Sequence, residues 1–122
     1  MASFQNKLET LYSQMNNLEN EYKPLFEELT ASIEHHQYLL AQTQDEYSLC
    51  QNLKKIPVTA DLLINEITRL NDIIHTLVDE WAELWYSYDG RRSDLKKEIV
   101  LTRHQLMFNN VLKECMSKMT IV

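Results

Sequence analysis

Histidine and cysteine are the side chains of this sequence that most readily bind metals or act as nucleophiles. No two of the histidines have the spacing of a helical His-x-x-x-His zinc pair, and Cys50 and Cys115 do not form a Cys-x-x-Cys motif. The histidines are His35, His36, His75 and His104. We therefore expect no structural zinc site and no metal cofactor.

Asp72 and His75 place a carboxylate and an imidazole on one face of a predicted helix. Di-iron helical bundles use the related Glu-x-x-His motif, but they need it twice, together with further glutamates. This chain has the Asp-x-x-His spacing once. We expect it to hold no metal.

The sequence lacks the motifs of the common nucleotide-binding and hydrolytic enzymes. Its single glycine, Gly90, rules out a Gly-rich phosphate loop, and it has no Gly-x-Ser-x-Gly elbow. Neither cysteine lies in a histidine-containing signature of nucleophilic catalysis. The sequence predicts a protein that is not an enzyme.

Composition favours a single all-α folding unit. The 122 residues are 44% hydrophobic, with one glycine and two prolines, which suits long helices and leaves few turn-forming residues. No apolar run approaches the roughly 18 to 20 residues of a membrane-spanning helix. The start, Met1-Ala2-Ser3-Phe4, does not resemble a secretory signal, so we expect an intracellular, cytoplasmic protein.

The first predicted helix covers about residues 3–55. Its apolar positions alternate in steps of three and four residues, which is the heptad pattern of a coiled coil. They are Leu8, Leu11, Met15, Leu18, Tyr22, Leu25 and Leu29. Because a proline inside a helix removes one backbone hydrogen bond, we predict a kink or break at Pro24.

Two reversals are predicted farther along the chain. Pro57 ends the first helix, and Thr59 can cap a second one over residues 59–88. Asp89-Gly90 then favours another turn before a third helix over residues 93–119. We expect an elongated antiparallel bundle of three long helices within one domain, 1–122. The alternative is a long coiled-coil hairpin folded at Pro57.

The three-helix layout leaves the stripe in residues 3–23 without a partner in the same chain. An exposed apolar stripe indicates a binding site for a helix of another protein or of a second copy. The predicted binding residues are Leu8, Leu11, Met15, Leu18 and Tyr22. Trp85 joins them because it turns aside from the face that Trp81 shares with Leu84.

Charge is unevenly distributed along the chain, whose net charge is −6. Residues 57–90 carry seven acidic side chains and one basic one, whereas residues 91–122 carry seven basic and three acidic ones. The net charge argues against general nucleic-acid binding. The basic cluster of Arg91, Arg92, Lys96 and Lys97 predicts an alternative function, an electrostatic adaptor that docks on an acidic filament, tail or membrane surface.

Two family resemblances accompany these patterns. Trp81-Ala82-Glu83-Leu84, followed by Arg91 and Leu95, resembles the third helix of spectrin repeats, and Glu34-His35-His36-Gln37-Tyr38 resembles their second helix. This implies a three-helix spacer or docking module in a cytoskeletal or scaffold protein. Lys7-Leu8-Glu9-Thr10-Leu11-Tyr12 and Pro57-Val58-Thr59 are similar to small coiled-coil subunits of spindle and kinetochore complexes, which implies an obligate hetero-oligomer.

These observations predict a non-enzymatic scaffold or protein-interaction module. It would bind partner helices through its apolar stripes as a cytoskeletal or complex-assembly subunit, and form homo- or hetero-oligomers.

Overall fold

A computed structural model describes residues 3–52 and 57–120, almost all of them in two α-helices. Helix α1 runs from Phe4 to Asn52 and helix α2 from Pro57 to Thr120. The prediction of an all-α protein is confirmed. The prediction of three helices is wrong, and the two-helix architecture is compatible with the hairpin alternative.

The second predicted reversal, near Asp89-Gly90, is absent because α2 continues through Gly90. A glycine inside a helix costs about 1 kcal/mol relative to alanine, which is too little to end a helix whose flanking residues pack against a neighbour. On either side of Gly90, Tyr88 contacts the Tyr22 ring, and Arg91 bonds to Glu21. Gly90 itself is exposed, with nothing within 4 Å of the position that a Cβ would occupy.

Helix α1 likewise continues through Pro24, so the predicted break is absent. The proline removes a single backbone hydrogen bond. Tyr22 before it packs on Tyr88, and Phe26 after it packs on the rings of Trp81 and Trp85. Packing on both sides offsets the lost bond.

The helix starts differ by a few residues from the predicted ones. Ser3 caps α1, because its hydroxyl accepts a hydrogen bond from the Asn6 amide at 3.3 Å. Pro57 is the first residue of α2, a position at which proline is favoured because its missing N–H would have no helical partner. Thr59 therefore lies inside α2. The end of the predicted first helix and the reversal before Pro57 fall on residues 53–56, outside the described residues.

The chain divides into two compact units. Unit 1 holds Met1–Tyr22 and Ser87–Val122, and unit 2 holds Lys23–Tyr86. Within unit 1, Leu18 lies near Leu95 and Glu21 lies near Arg91, so α1 and α2 run antiparallel there.

The helices also run antiparallel within unit 2. Phe26 contacts Trp85, and Leu29 shares a groove with Leu77. Residue numbers therefore increase along α1 while they decrease along the facing part of α2, so the two helices are antiparallel within unit 2.

Few side chains are fully enclosed. The buried side chains of unit 1 are Leu11, Leu18, Tyr22, Ile99 and Thr102, and those of unit 2 are Cys50 and Leu70. Two packed helices cover only one face of each other. Within the described residues the other side chains of both helices are half-buried or exposed, and the exposed ones include many large apolar side chains.

Candidate interaction surface

The predicted stripe at the start of α1 is packed against α2 within unit 1. Leu11, Leu18 and Tyr22 are buried, and Leu8 and Met15 are half-buried. The prediction that these residues bind a partner assumed that residues 3–23 lay outside a three-helix body, and that architecture is wrong. Their partner role stays a prediction, and in this structure the stripe forms the core of unit 1.

Tyr22 anchors a polar and aromatic cluster in unit 1. Its hydroxyl lies 2.7 Å from the Ser87 hydroxyl, and the Arg91 guanidinium donates to it at 3.3 Å. The hydrogen bond with Ser87 and then that from Arg91 lower the pKa of Tyr22 below its ordinary value. The Tyr88 ring lies against the Tyr22 ring, with centroids 5.3 Å apart. This cluster joins the two helices within unit 1.

The basic residues predicted to form one cluster have different surroundings. Arg91 donates to Glu21 at 3.1 Å, and its hydrogen bonds to Tyr22 and Glu21 raise its pKa above the usual value. Arg92 is half-buried. Lys96 and Lys97 are exposed and line an open groove of about 550 Å³ on the outer side of α2. Only these two lysines of the predicted cluster face that groove.

Apolar residues form a continuous exposed strip along the C-terminal part of α2. Two adjoining grooves, of about 550 and 210 Å³, share Val100 and His104, and the second extends to Met107. We call the following exposed residues the outer strip: Val100, Leu101, Met107, Phe108, Val111, Leu112, Cys115 and Met119. They are mostly half to three-quarters accessible, from Leu112 at 47% to Met119 at 76%.

The outer strip lies roughly opposite the face with which α2 packs on α1. At about 100° per residue, its members fall within an arc of about 140°. The inward-facing Leu95, Ile99, Thr102 and Leu106 fall on an arc centred roughly 170° away. Helix α2 therefore has two apolar faces in this region, and α1 covers one of them.

The strip continues where α2 extends past the start of α1. The neighbours Leu18 and Leu95 place Phe4 opposite about residue 109 at the antiparallel register. Residues 111–119 are all exposed. Even there, the apolar Val111, Leu112 and Cys115 share one face, and the polar Asn110 and Lys113 lie on another. This segment is amphipathic although no described part of α1 faces it.

Charged side chains border the strip unequally. Lys96, Arg103 and Lys118 fall on one edge, within about 60° of one another, together with one carboxylate, Glu114. The opposite edge has no cation among the described residues. Asp94 and Glu98 stand on or beside it.

A second apolar surface lies in unit 2. An open groove of about 610 Å³ is lined by Leu25, Leu29, Leu77 and Leu84. Glu28, Glu80 and Glu83 stand at its border, so this groove is acidic.

The two tryptophans of unit 2 stack beside Phe26. Their rings are nearly parallel, with centroids 6.0 Å apart, and the Phe26 ring packs edge-to-face against each of them. Trp85 keeps 40% of its surface accessible. Its predicted partner role remains a prediction.

The residues that could do chemistry are dispersed. Among the described residues no three histidine, cysteine or acidic side chains come together to hold a metal ion. Cys50 is a buried free thiol, and Cys115 is an exposed one on the outer strip. None of the helices in the described ranges is long and apolar enough to cross a membrane.

Comparisons with protein-family models, curated proteins and solved structures give no match. The resemblances to spectrin repeats and to spindle and kinetochore subunits therefore remain predictions.

Sequence reasoning missed the outer strip, although the sequence contains its signal. The helix predicted over residues 93–119 contains the apolar residues Leu95, Ile99, Leu106, Val111 and Leu112. At about 100° per residue the first three and the last two lie on different faces. Two apolar faces on one helix indicate two packing neighbours.

Proposed function

We propose that this chain is a non-catalytic helical hairpin that assembles with helices of other proteins, as a scaffold or complex-assembly subunit. The observation that carries the proposal is the outer strip of α2, a face of large apolar side chains that α1 does not cover. We further propose an intracellular, cytoskeleton-associated setting, in keeping with the two family resemblances.

The physical reason is the cost of leaving such a surface in water. Burial of apolar area contributes about 25 cal/mol per Å², and contiguous exposed apolar patches usually mark interaction sites. Phe108 and Met107 alone are 67% and 63% accessible. A further helix on this strip would extend the antiparallel packing that α1 and α2 already show.

The acidic groove of unit 2 offers a second place for a partner helix. Four leucines line it. Trp85, elsewhere in unit 2, is of a residue type that is enriched at interface hot spots. A hairpin with two such surfaces can contact more than one neighbour, which is the property that a scaffold requires.

The experiment is to immobilise the full chain and compare the proteins that it retains from a native cell extract with those retained by surface variants. The double variant Leu101→Asp, Phe108→Asp places charges in the outer strip, and Leu25→Asp places one in the groove of unit 2. Asn16→Asp, on an exposed polar position, is the matched control. A protein lost with a strip or groove variant but kept with the control is then purified and combined with the chain.

The proposal predicts a complex of defined mass by light scattering that survives 0.5 M salt, because apolar packing is not screened. If both surface variants retain the same proteins as the wild type, the hairpin does not act through these surfaces and the proposal is wrong.

A further inference from the structure

We infer that the outer strip binds an amphipathic helix of another protein whose apolar face is bordered on one side by Asp and Glu. This inference rests on the proposed function and specifies the chemistry of one partner. The strip is the docking surface, and its basic edge of Lys96, Arg103 and Lys118 selects the acidic side of the partner.

The length of the strip fits a helix. From Val100 to Met119 it covers about 28 Å at 1.5 Å per residue, which is the length of roughly three heptads. The grooves at its N-terminal end are open and shallow, and they are lined along one helix by Val100, His104 and Met107. Such a surface accepts side chains from a helix laid alongside it.

Charge complementarity favours an acidic partner helix. In paired helices the residues that border the apolar seam face each other and decide which partner is accepted. The three cations on one edge outnumber Glu114, so Asp or Glu on the facing side of the partner would lower the energy of the complex. Lys97 lies within the strip, where its methylene chain can pack on apolar groups while its amine reaches solvent.

The unequal edges also argue against an anionic membrane as the occupant. Helices that lie on membranes carry Lys and Arg over their polar face. Here Asp94 and Glu98 lie on or beside the second edge, where they would meet lipid phosphates unfavourably. A partner helix with acidic residues along one edge avoids that repulsion.

The test uses the full chain and a fluorescent synthetic peptide of about 21 residues with Leu at its inner heptad positions, Glu at the flanking positions of one edge and Gln at those of the other. A second peptide is identical except that Lys replaces each of these Glu residues. Fluorescence anisotropy at 0.1 M and 1 M salt gives both affinities. We expect the Glu peptide to bind at least about tenfold more tightly at low salt, with a smaller ratio at high salt.

Variants separate the apolar and the charged contributions. Val111→Asp should weaken binding of the Glu peptide about tenfold or more, and Arg103→Glu should reduce the preference for Glu over Lys. Asn16→Asp and Lys113→Glu introduce the same charge changes off the strip and its basic edge and should leave both affinities within about twofold. Circular dichroism confirms that every variant keeps its helices.

Four outcomes overturn the inference. They are equal binding of the two peptides, binding unaffected by Val111→Asp, binding to phosphatidylserine vesicles with none to the Glu peptide, and a dimer of the chain that Val111→Asp dissociates. If the Glu peptide fails while the extract experiment still yields a complex that depends on Leu25, the inference alone is wrong. If both experiments fail, the proposed function is wrong as well.

Discussion

At the scale of single residues, buried polar atoms matter because a two-helix core encloses so few side chains. Thr102 is 1% exposed, and its hydroxyl oxygen has no hydrogen-bond partner among the described residues. An unsatisfied buried hydroxyl costs about 1 to 3 kcal/mol, and an apolar group of similar shape avoids that cost.

We therefore expect Thr102→Val to raise the free energy of unfolding by about 1 kcal/mol. Urea titration followed by circular dichroism measures it. Thr102→Ser keeps the hydroxyl but loses the methyl group, so it should be less stable than the wild type. If Thr102→Val is less stable than the wild type, the Thr102 hydroxyl has a hydrogen-bond partner in solution.

Tyr22 gives a prediction with a defined pH dependence. Its pKa is lowered in the folded chain, first by the hydrogen bond with Ser87 and then by that from Arg91. An acid with a depressed folded pKa adds stability that is fully present above the unfolded pKa, near 10, and is lost as pH falls through the folded value. Tyr22→Phe lacks this contribution.

The stability difference between the wild type and Tyr22→Phe should therefore widen as pH rises from 8 to about 10.5. Thermal melts of both proteins at each pH measure this difference. Lysines also titrate in this range, but they are the same in both proteins, so their contribution drops out of the difference. Ser87→Ala in both proteins removes the hydrogen bond that lowers the pKa of Tyr22 most, so the widening should shrink. A difference that narrows with pH would contradict the hydrogen-bonded cluster.

At the scale of elements, the long helices persist through residues that usually end helices. Gly90 and Pro24 both lie inside them, and each is followed and preceded by residues that pack across to the other helix. The sequence analysis predicted that Gly90 ends a helix, whereas in the structure it only lowers the local helix propensity within α2.

Gly90→Ala should stabilise the chain by about 1 kcal/mol, because alanine has the higher helix propensity and its Cβ meets nothing within 4 Å. Chemical denaturation measures the change. Gly90→Pro is the opposite control and should cost about 3 kcal/mol or more. If alanine destabilised the chain, a turn at Gly90 would exist in solution, as the three-helix prediction required.

At the scale of the whole molecule, stability depends on few enclosed side chains. Leu70 is 1% exposed, whereas Leu62 on the same helix is 63% exposed. In the described ranges, exposed large apolar residues such as Leu62 outnumber fully buried ones such as Leu70.

Leu70→Ala should lower the free energy of unfolding by about 2 to 5 kcal/mol, the range for a leucine truncated inside a core. Leu62→Ala removes the same atoms from an exposed site and should change it by less than about 0.5 kcal/mol. Urea denaturation of both variants makes the comparison. Equal losses would mean that Leu62 is enclosed in solution, for example by a second copy.

The sequence by itself determined that the chain is helical and where its heptad stripe runs. The positions of Leu11, Leu18 and Tyr22 follow from a periodicity that depends only on the local geometry of the helix. The sequence could not determine how many helices there are, because the effect of Gly90 depends on packing with residues some seventy positions away, such as Glu21 against Arg91.

Only the tertiary structure decided which apolar face is covered. Leu11 and Phe108 are both large apolar residues in the sequence, yet the first is buried against α2 and the second is 67% accessible. The difference arises because, within unit 1, α2 has one neighbouring helix among the described residues and can bury only one face against it. The structure therefore moved the candidate interaction surface from the start of α1 to the outer strip of α2.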